Sequence, residues 1–263
     1  MTKLRVVYPP AGRAGEYAPL AVNLYRGCDH GCTYCYAPRV LKMKKDAFVA
    51  PVPRKDILNK LLLDCQDLYE ADNKDTILLC FTCDPYCQAD VQHKITREAV
   101  EMLLAYEQPV TILTKGGLRS ERDFDILERH ADLVTYATTL TFTDDAQRQV
   151  FEPGAAPTEE RISALIAAKK AGFKTWVSCE PVIDPAQTLS LIRQTADIVD
   201  LFKIGKWNYD QRAKDIDWPT FGRDVVELLE SLGAHYYIKE DLRGDVLRGI
   251  SQENRRKAMG GRP

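Results

Sequence analysis

The 263-residue chain has no apolar stretch that approaches the ~20 residues of a membrane-spanning helix, and no charged-then-apolar leader opens it. These absences predict a cytoplasmic protein without a membrane partner. An excess of positive charge is also missing: 36 Lys and Arg stand against 38 Asp and Glu, a net of -2. A dedicated duplex binder carries a basic stripe, so composition does not demand nucleic acid. Two local basic groups depart from the balance, Arg39, Lys42, Lys44, Lys45, Arg54 and Lys55 early on and Arg243, Arg248, Arg255, Arg256, Lys257 and Arg262 in the tail. Either could face phosphates or simply be solvated. There is no internal repeat, and a chain this long needs no disulfide framework to fold. Its eight cysteines therefore point elsewhere.

Three of them, Cys28, Cys32 and Cys35, stand in the run Asn23-Leu-Tyr-Arg-Gly-Cys-Asp-His-Gly-Cys-Thr-Tyr-Cys-Tyr36, with Tyr34 and Tyr36 flanking the last. Three thiolates on one short loop suit three irons of a 4Fe–4S cluster and leave the fourth iron open. Electron-transfer clusters take four cysteines and structural zinc prefers four closed ligands, so a zinc site completed by His30 is the weaker reading. A second group, Cys80, Cys83 and Cys87, lies within eight residues. Cys65 sits on a helical pattern and needs no role.

Short apolar or β-branched runs, as expected of buried parallel strands, occur at Ala21 to Tyr25, Thr76 to Phe81, Val110 to Thr114, Leu133 to Leu140, Thr175 to Cys179 and Val199 to Ile204. Helical patterns alternate with them: Ile95, Ala99, Met102, Leu103 and Tyr106 share a face, as do Ile162, Leu165, Ile166 and Lys169. Ser120 with Asp123 reads as a capping box and Gly172 as a helix stop. The expected fold class is α/β, an incomplete (β/α)6 TIM-type barrel with short N- and C-terminal extensions. The expected division is 1–20 as extension, 21–210 as core and 211–263 as helix Thr220 to Leu232, a seventh short strand His235 to Ile238 and the basic tail. In barrels, chemistry gathers at the C-terminal strand ends. Here those ends carry the cysteine loop, Cys80-Phe-Thr-Cys-Asp-Pro-Tyr-Cys87, Thr114-Lys-Gly-Gly117, Thr138 to Thr141, Ser178-Cys-Glu-Pro181 and Lys203-Ile-Gly-Lys-Trp-Asn208. So many polar groups would be costly without a ligand or mutual hydrogen bonds, so a large polar ligand is expected.

The cysteine run, Asp84-Pro85-Tyr86, Thr96-Arg97-Glu98, Ile112-Leu-Thr-Lys115 and the stretch from Phe151-Glu-Pro to Glu160-Arg-Ile162 together resemble the spore photoproduct lyase-like branch of the radical SAM superfamily, over roughly Val22 to Asp184. The resemblance implies a 4Fe–4S cluster on Cys28, Cys32 and Cys35, S-adenosylmethionine on the open iron, reductive cleavage to a 5′-deoxyadenosyl radical and hydrogen abstraction from substrate. It also implies an external flavodoxin- or ferredoxin-like electron donor.

Carried over residue by residue, Lys115 would meet the methionine carboxylate, Thr82 to Asp84 the methionine amino group and Thr139 the ribose. Glu180 would accept hydrogen bonds from cofactor or substrate, or form a structural ion pair. Tyr34 would stack beside the adenine or, with Tyr36, take part in hydrogen relay.

The second cysteine group keeps three readings: hydrogen-atom donors with Cys83 first and Cys80 second, an auxiliary Fe–S cluster of Cys80, Cys83 and Cys87 with or without Cys179, or buried packing. Strand alternation would put Cys80 and Thr82 on one face and Phe81 and Cys83 on the other, unless a bend near Asp84 turns Cys83 inward. The expected substrate is a nucleobase or nucleic-acid-linked group, through photoproduct-type repair or base hypermodification. A peptide or small metabolite is the alternative, and a non-catalytic Fe–S or zinc binding module the third.

Overall fold

A computed structural model describes residues 4–249. Seven strands form one sheet in strict chain order: β1 Leu20–Val22, β2 Ile77–Leu79, β3 Val110–Thr114, β4 Val134–Thr139, β5 Lys174–Val182, β6 Leu201–Lys206 and β7 Tyr236–Ile238. Every neighbouring pair is parallel, and β1 does not pair with β7, so the barrel stays open. The strand runs read from the sequence are all present, trimmed or extended by up to three residues. The seventh strand is the difference in count. Tyr236, Tyr237 and Ile238 pair with Phe202, Lys203 and Ile204, so the segment expected as an appendage contributes a strand to the core sheet. The tail residues Arg255, Arg256, Lys257 and Arg262 lie outside the described residues.

The crossovers are helical, as right-handed βαβ connection requires. Helix α1 (Ile57–Glu70) buries Ile57, Leu61, Cys65 and Leu68, and α2 (Ile95–Ala105) buries Ala99, Val100, Leu103 and Leu104. These are the i, i+3 and i+4 positions of one stripe, and each fully covered Leu contributes ~1.5–3 kcal/mol. Helices α3 (Thr158–Lys170) and α4 (Pro185–Thr195) follow β4 and β5. Asp184 caps α4 by accepting from the N–H of Ala186 and Gln187, and Gly172, at φ +85°, ends α3 where a side chain would be strained. Helices α5 (Trp218–Ser231) and α6 (Glu240–Gly249), which flank β7 in the chain, pack on each other. The expected capping box at Ser120 does not form. Ser120 lies inside a 3-10 helix, Gly117–Asp123, where its hydroxyl donates back to Gly117 O at 2.7 Å.

The N-terminal segment crosses the open seam. Tyr8 bridges to Ala21 beside β1. Within the 3-10 turn Gly12–Glu16, Arg13 reaches Asp241 at 2.8 Å and Asn208 at 3.1 Å, while Glu16 accepts from Tyr237 OH at 3.0 Å and Glu240 N–H at 2.8 Å. The described segment before β1, residues 4–19, thus links the two edges of the sheet that do not pair.

Candidate active site

The cysteine loop is held from two sides. Directly after β1, Tyr25–Arg26 pairs antiparallel with Val52–Pro53, and Cys28 N–H bonds Phe48 O at 2.8 Å. Gly27 (φ +97°) allows this approach, since a Cβ there would lie 2.5 Å from Phe48 O. From the other side, Thr33 N–H bonds Phe151 O at 2.8 Å and Gly154 N–H bonds His30 O at 2.9 Å. Asp29 accepts from the N–H of Gln88 and Ala89, both at 2.9 Å, tying the loop to the segment after β2.

Asn23 and Asp84 organise the next strand end. Asn23 Oδ1 accepts from Phe81 N–H and Thr82 N–H, both at 2.8 Å, and its amide donates to Tyr8 OH at 2.6 Å. Asp84 accepts from Tyr86 N–H (2.8 Å), Thr114 Oγ1 (2.6 Å) and Lys115 N–H (2.7 Å), so both its oxygens are engaged within the protein. The strand alternation expected at Cys80 to Cys83 is overturned. Strand β2 stops at Leu79, Cys80 takes the left-handed conformation (φ 72°), and Cys80, Phe81, Thr82 and Cys83 all line one cavity. That backbone costs ~1–2 kcal/mol in a non-glycine residue.

The cavity, about 420 Å³, lies at the C-terminal ends of the strands. It brings together every singled-out residue of the two motif groups except Cys87: Cys28, Cys32, Cys35, Tyr34, Tyr36, Cys80, Cys83, Thr82, Asp84, Lys115, Thr139 and Glu180 all line it. Cys87 and Cys179 are buried off its wall. Tyr36, which is 42% exposed, donates its hydroxyl to Phe81 O at 2.8 Å. Lys115 holds its ammonium 5.8 Å above the Tyr34 ring, with no ion-pair partner among the described residues.

Glu180 takes the ion-pair alternative: it accepts from Lys239 Nζ at 2.5 Å and from Tyr17 OH. Tyr17 also lines a second cavity, about 990 Å³, at the opposite end of the strands. In the second cavity, burial and the nearby Lys239 charge push Lys203 down to about 8.

The sequence reading gave no role to Glu152 and Arg161, a pair with neither side chain exposed and Nη2–Oε2 at 2.6 Å. Glu152 also accepts from Tyr34 OH and from Thr141 Oγ1 at 3.2 Å. Burial alone would raise its carboxyl, but Arg161 and Lys115 outweigh it and hold the group below its usual range. Burial together with Glu152 pushes the Tyr34 phenol well up. The signal was present in Phe151-Glu-Pro and Glu160-Arg-Ile162, quoted above without a function.

The donor set fits a cluster better than a single ion. Among the described residues no three His, Cys, Asp or Glu groups close on one ion. His30 is 2% exposed, and its Nε2 faces Arg119 Nη2 at 3.1 Å. Arg can only donate, so Nε2 accepts and the proton sits on Nδ1 toward Asp84 Oδ2 at 3.5 Å. No lone pair is left for zinc. Burial pushes Cys32 up to about 12 despite the Lys115 charge, and a bound cationic metal centre would keep such buried thiols ionised. Thr82 Oγ1 and Trp207 Nε1 are buried on the cavity wall without a hydrogen-bond partner. Such orphans are rare and fit a bound polar cofactor.

The family model of the Radical SAM superfamily matches residues 22–199, and the chain belongs to that superfamily. Its fold is that of the spore photoproduct lyase-like branch. A mutant spore photoproduct lyase superposes with TM-score 0.70 at 15% identity, over 91% of this chain and 80% of that one. A second mutant of that enzyme, with bound AdoMet and dinucleoside spore photoproduct, gives 0.68 over 90% and 79%. Streptococcus suis SuiB bound to S-adenosylmethionine gives 0.64 at 11% identity, over 92% and 55%. In sequence, the chain is 24% identical over 187 residues to the uncharacterized protein ORF301 of Acidianus two-tailed virus (68% of this chain, 61% of that protein). It is 27% identical over 169 residues to the uncharacterized protein Rv2578c of Mycobacterium tuberculosis (62% and 49%). The chain thus spans about half to three fifths of the length of these relatives. No helix among the described residues is long and apolar enough to cross a membrane.

Proposed function

We propose that this chain is a radical SAM enzyme that acts on a nucleobase or nucleic-acid-linked group. The observation that carries the reading is the convergence of the Cys28, Cys32 and Cys35 thiols, the unpaired Lys115 ammonium and the orphan Thr82 hydroxyl on one cavity. Bound there, the 4Fe–4S cluster and S-adenosylmethionine would supply a 5′-deoxyadenosyl radical on reduction by a flavodoxin- or ferredoxin-like donor.

The protein's part is positioning. Cys28, Cys32 and Cys35 would hold the cluster, Lys115 the methionine carboxylate, Thr82 the amino group and Thr139 the ribose. Asp84, spent on Lys115 N–H and Thr114, aligns that lysine's strand end rather than reaching the cofactor itself. The nucleobase preference is supported by the fold, which covers 80% of spore photoproduct lyase but 55% of SuiB.

The test is anaerobic turnover with reductant, S-adenosylmethionine and an oligonucleotide deuterated on its bases. Deuterium should appear in 5′-deoxyadenosine. Formation of 5′-deoxyadenosine without deuterium from any base, but with deuterium from a labelled peptide, would move the substrate to the peptide class. No S-adenosylmethionine cleavage at all would overturn the enzymatic reading.

A further inference from the structure

The turn after β2 does more than admit one thiol to the cavity. The left-handed backbone at Cys80 folds the chain back within three residues, so that Cys80 and Cys83 open on the same cavity. The turn is fixed at both ends: Cys80 N–H bonds Val22 O at 2.9 Å, and Asn23 holds the N–H groups of Phe81 and Thr82. Burial and the neighbouring Cys83 thiol push the Cys80 thiol well up. Neither is bonded to another cysteine, Cys80 is 5% exposed and Cys83 is partly open. Cys87, third in the sequence group, is fully covered and off the wall. The motif is thereby divided into a facing pair and a packing residue.

We infer that Cys80 and Cys83 form a reversible thiol–disulfide couple in the wall of the active-site cavity. Cys83, the accessible sulfur, exchanges with an external disulfide, and Cys80 resolves the mixed disulfide. In the first step the Cys83 thiolate attacks one sulfur of the external disulfide, that S–S bond breaks and one thiol leaves. In the second the Cys80 thiolate attacks Cys83, the mixed S–S bond breaks, the second thiol leaves and the Cys80–Cys83 bond forms. The two protons lost by the pair end on the two leaving thiols, and the external disulfide is the species reduced. A dithiol of the low-molecular-weight or small-protein class reverses both steps. The consequence rests on the donor reading of Cys83: as a dithiol the wall has a hydrogen atom to give an occupant of the cavity, and as a disulfide it has none.

The experiment uses the full chain carrying its cluster, equilibrated anaerobically in glutathione buffers of graded poise, then quenched, alkylated and digested with trypsin. Residues 75–94 form one tryptic peptide holding Cys80, Cys83 and Cys87. The expected result is interconversion between a triply alkylated peptide and one alkylated on Cys87 alone and lighter by two hydrogens, reversed by dithiothreitol. Cys80→Ser and Cys83→Ser should each abolish the lighter form, and Cys87→Ser should retain it. Triple alkylation of the wild-type peptide at every poise overturns the couple, as does a lighter form whose bond maps to Cys87. Because the wild-type digest decides this, a variant that misfolds does not blunt the test. No S-adenosylmethionine is consumed, so the couple and the proposed function fail separately.

Discussion

Arg161 on α3 and Glu152 in the segment after β4 form an ion pair with no exposed side-chain surface on either residue, and the remaining Glu152 oxygen receives the Tyr34 hydroxyl. A buried charge pair adds little net stability over apolar packing, but breaking it leaves one charge uncompensated. Here the pair braces the tyrosine that precedes the last cysteine of the motif.

Arg161→Met should therefore destabilise the fold by ~3–5 kcal/mol, read from urea denaturation. Glu152 has its folded carboxyl held below the unfolded value. Its contribution is complete above the unfolded pKa of ~4.3 and is lost as pH falls through the folded value. Glu152→Gln should remove that part of the acid-side slope. An unchanged slope would show that the pair does not govern acid stability.

Replacing Cys28, Cys32 or Cys35 with Ala should lower iron from about four per chain and abolish formation of 5′-deoxyadenosine. The same substitution at Cys65, buried in α1 with its thiol pushed up to about 12, should leave both intact. Cleavage that survives in all three motif variants would remove the cluster assignment.

Lys115→Met should keep the iron content and weaken S-adenosylmethionine binding by ~1.5–3 kcal/mol, the worth of a charge-assisted hydrogen bond, measured by equilibrium dialysis without reductant. Equal affinity in the two proteins would exclude contact with the carboxylate.

Lys203 is buried against Trp176, its ammonium 4.5 Å from the ring centroid, and bonds the carbonyls of Glu16 and Tyr17. Its folded pKa of about 8 lies below the unfolded value. Between these two values the unfolded chain binds more protons, so stability from this group rises with pH. Relative to Lys203→Met, the wild type should gain on the order of 1 to 3 kcal/mol between pH 8 and 10. A constant difference between the two proteins across that range would refute the shift.

Much of this architecture is written locally. The apolar runs and the polar residues at their ends follow one period and one rule, so β1 through β6 and the cavity they support are readable in the chain. The cysteine motif is readable because its spacing carries its chemistry. What escaped was set by contacts between distant segments. The conformation of Cys80 depends on Asn23, 57 residues earlier, whose single carbonyl oxygen captures two consecutive N–H groups. Periodicity alone therefore placed Cys80 and Cys83 on opposite faces. The partnership of Glu180 with Lys239 and Tyr17 joins three segments that no motif links. The seventh strand was visible as a short apolar run, but its place in the sheet depends on pairing with β6.

The link across the open seam also orders events in time. Arg13 meets Asp241 and Glu16 meets Glu240 across separations of 228 and 224 residues, so these contacts carry a high loop-closure cost and add little to early folding. During synthesis the cysteine loop leaves the ribosome long before the cavity wall at Lys206 to Tyr209 and Lys239 exists. The segment carrying the three thiols is therefore made before the residues that close the seam, and the seam contacts can form only once Glu240 and Asp241 have been added.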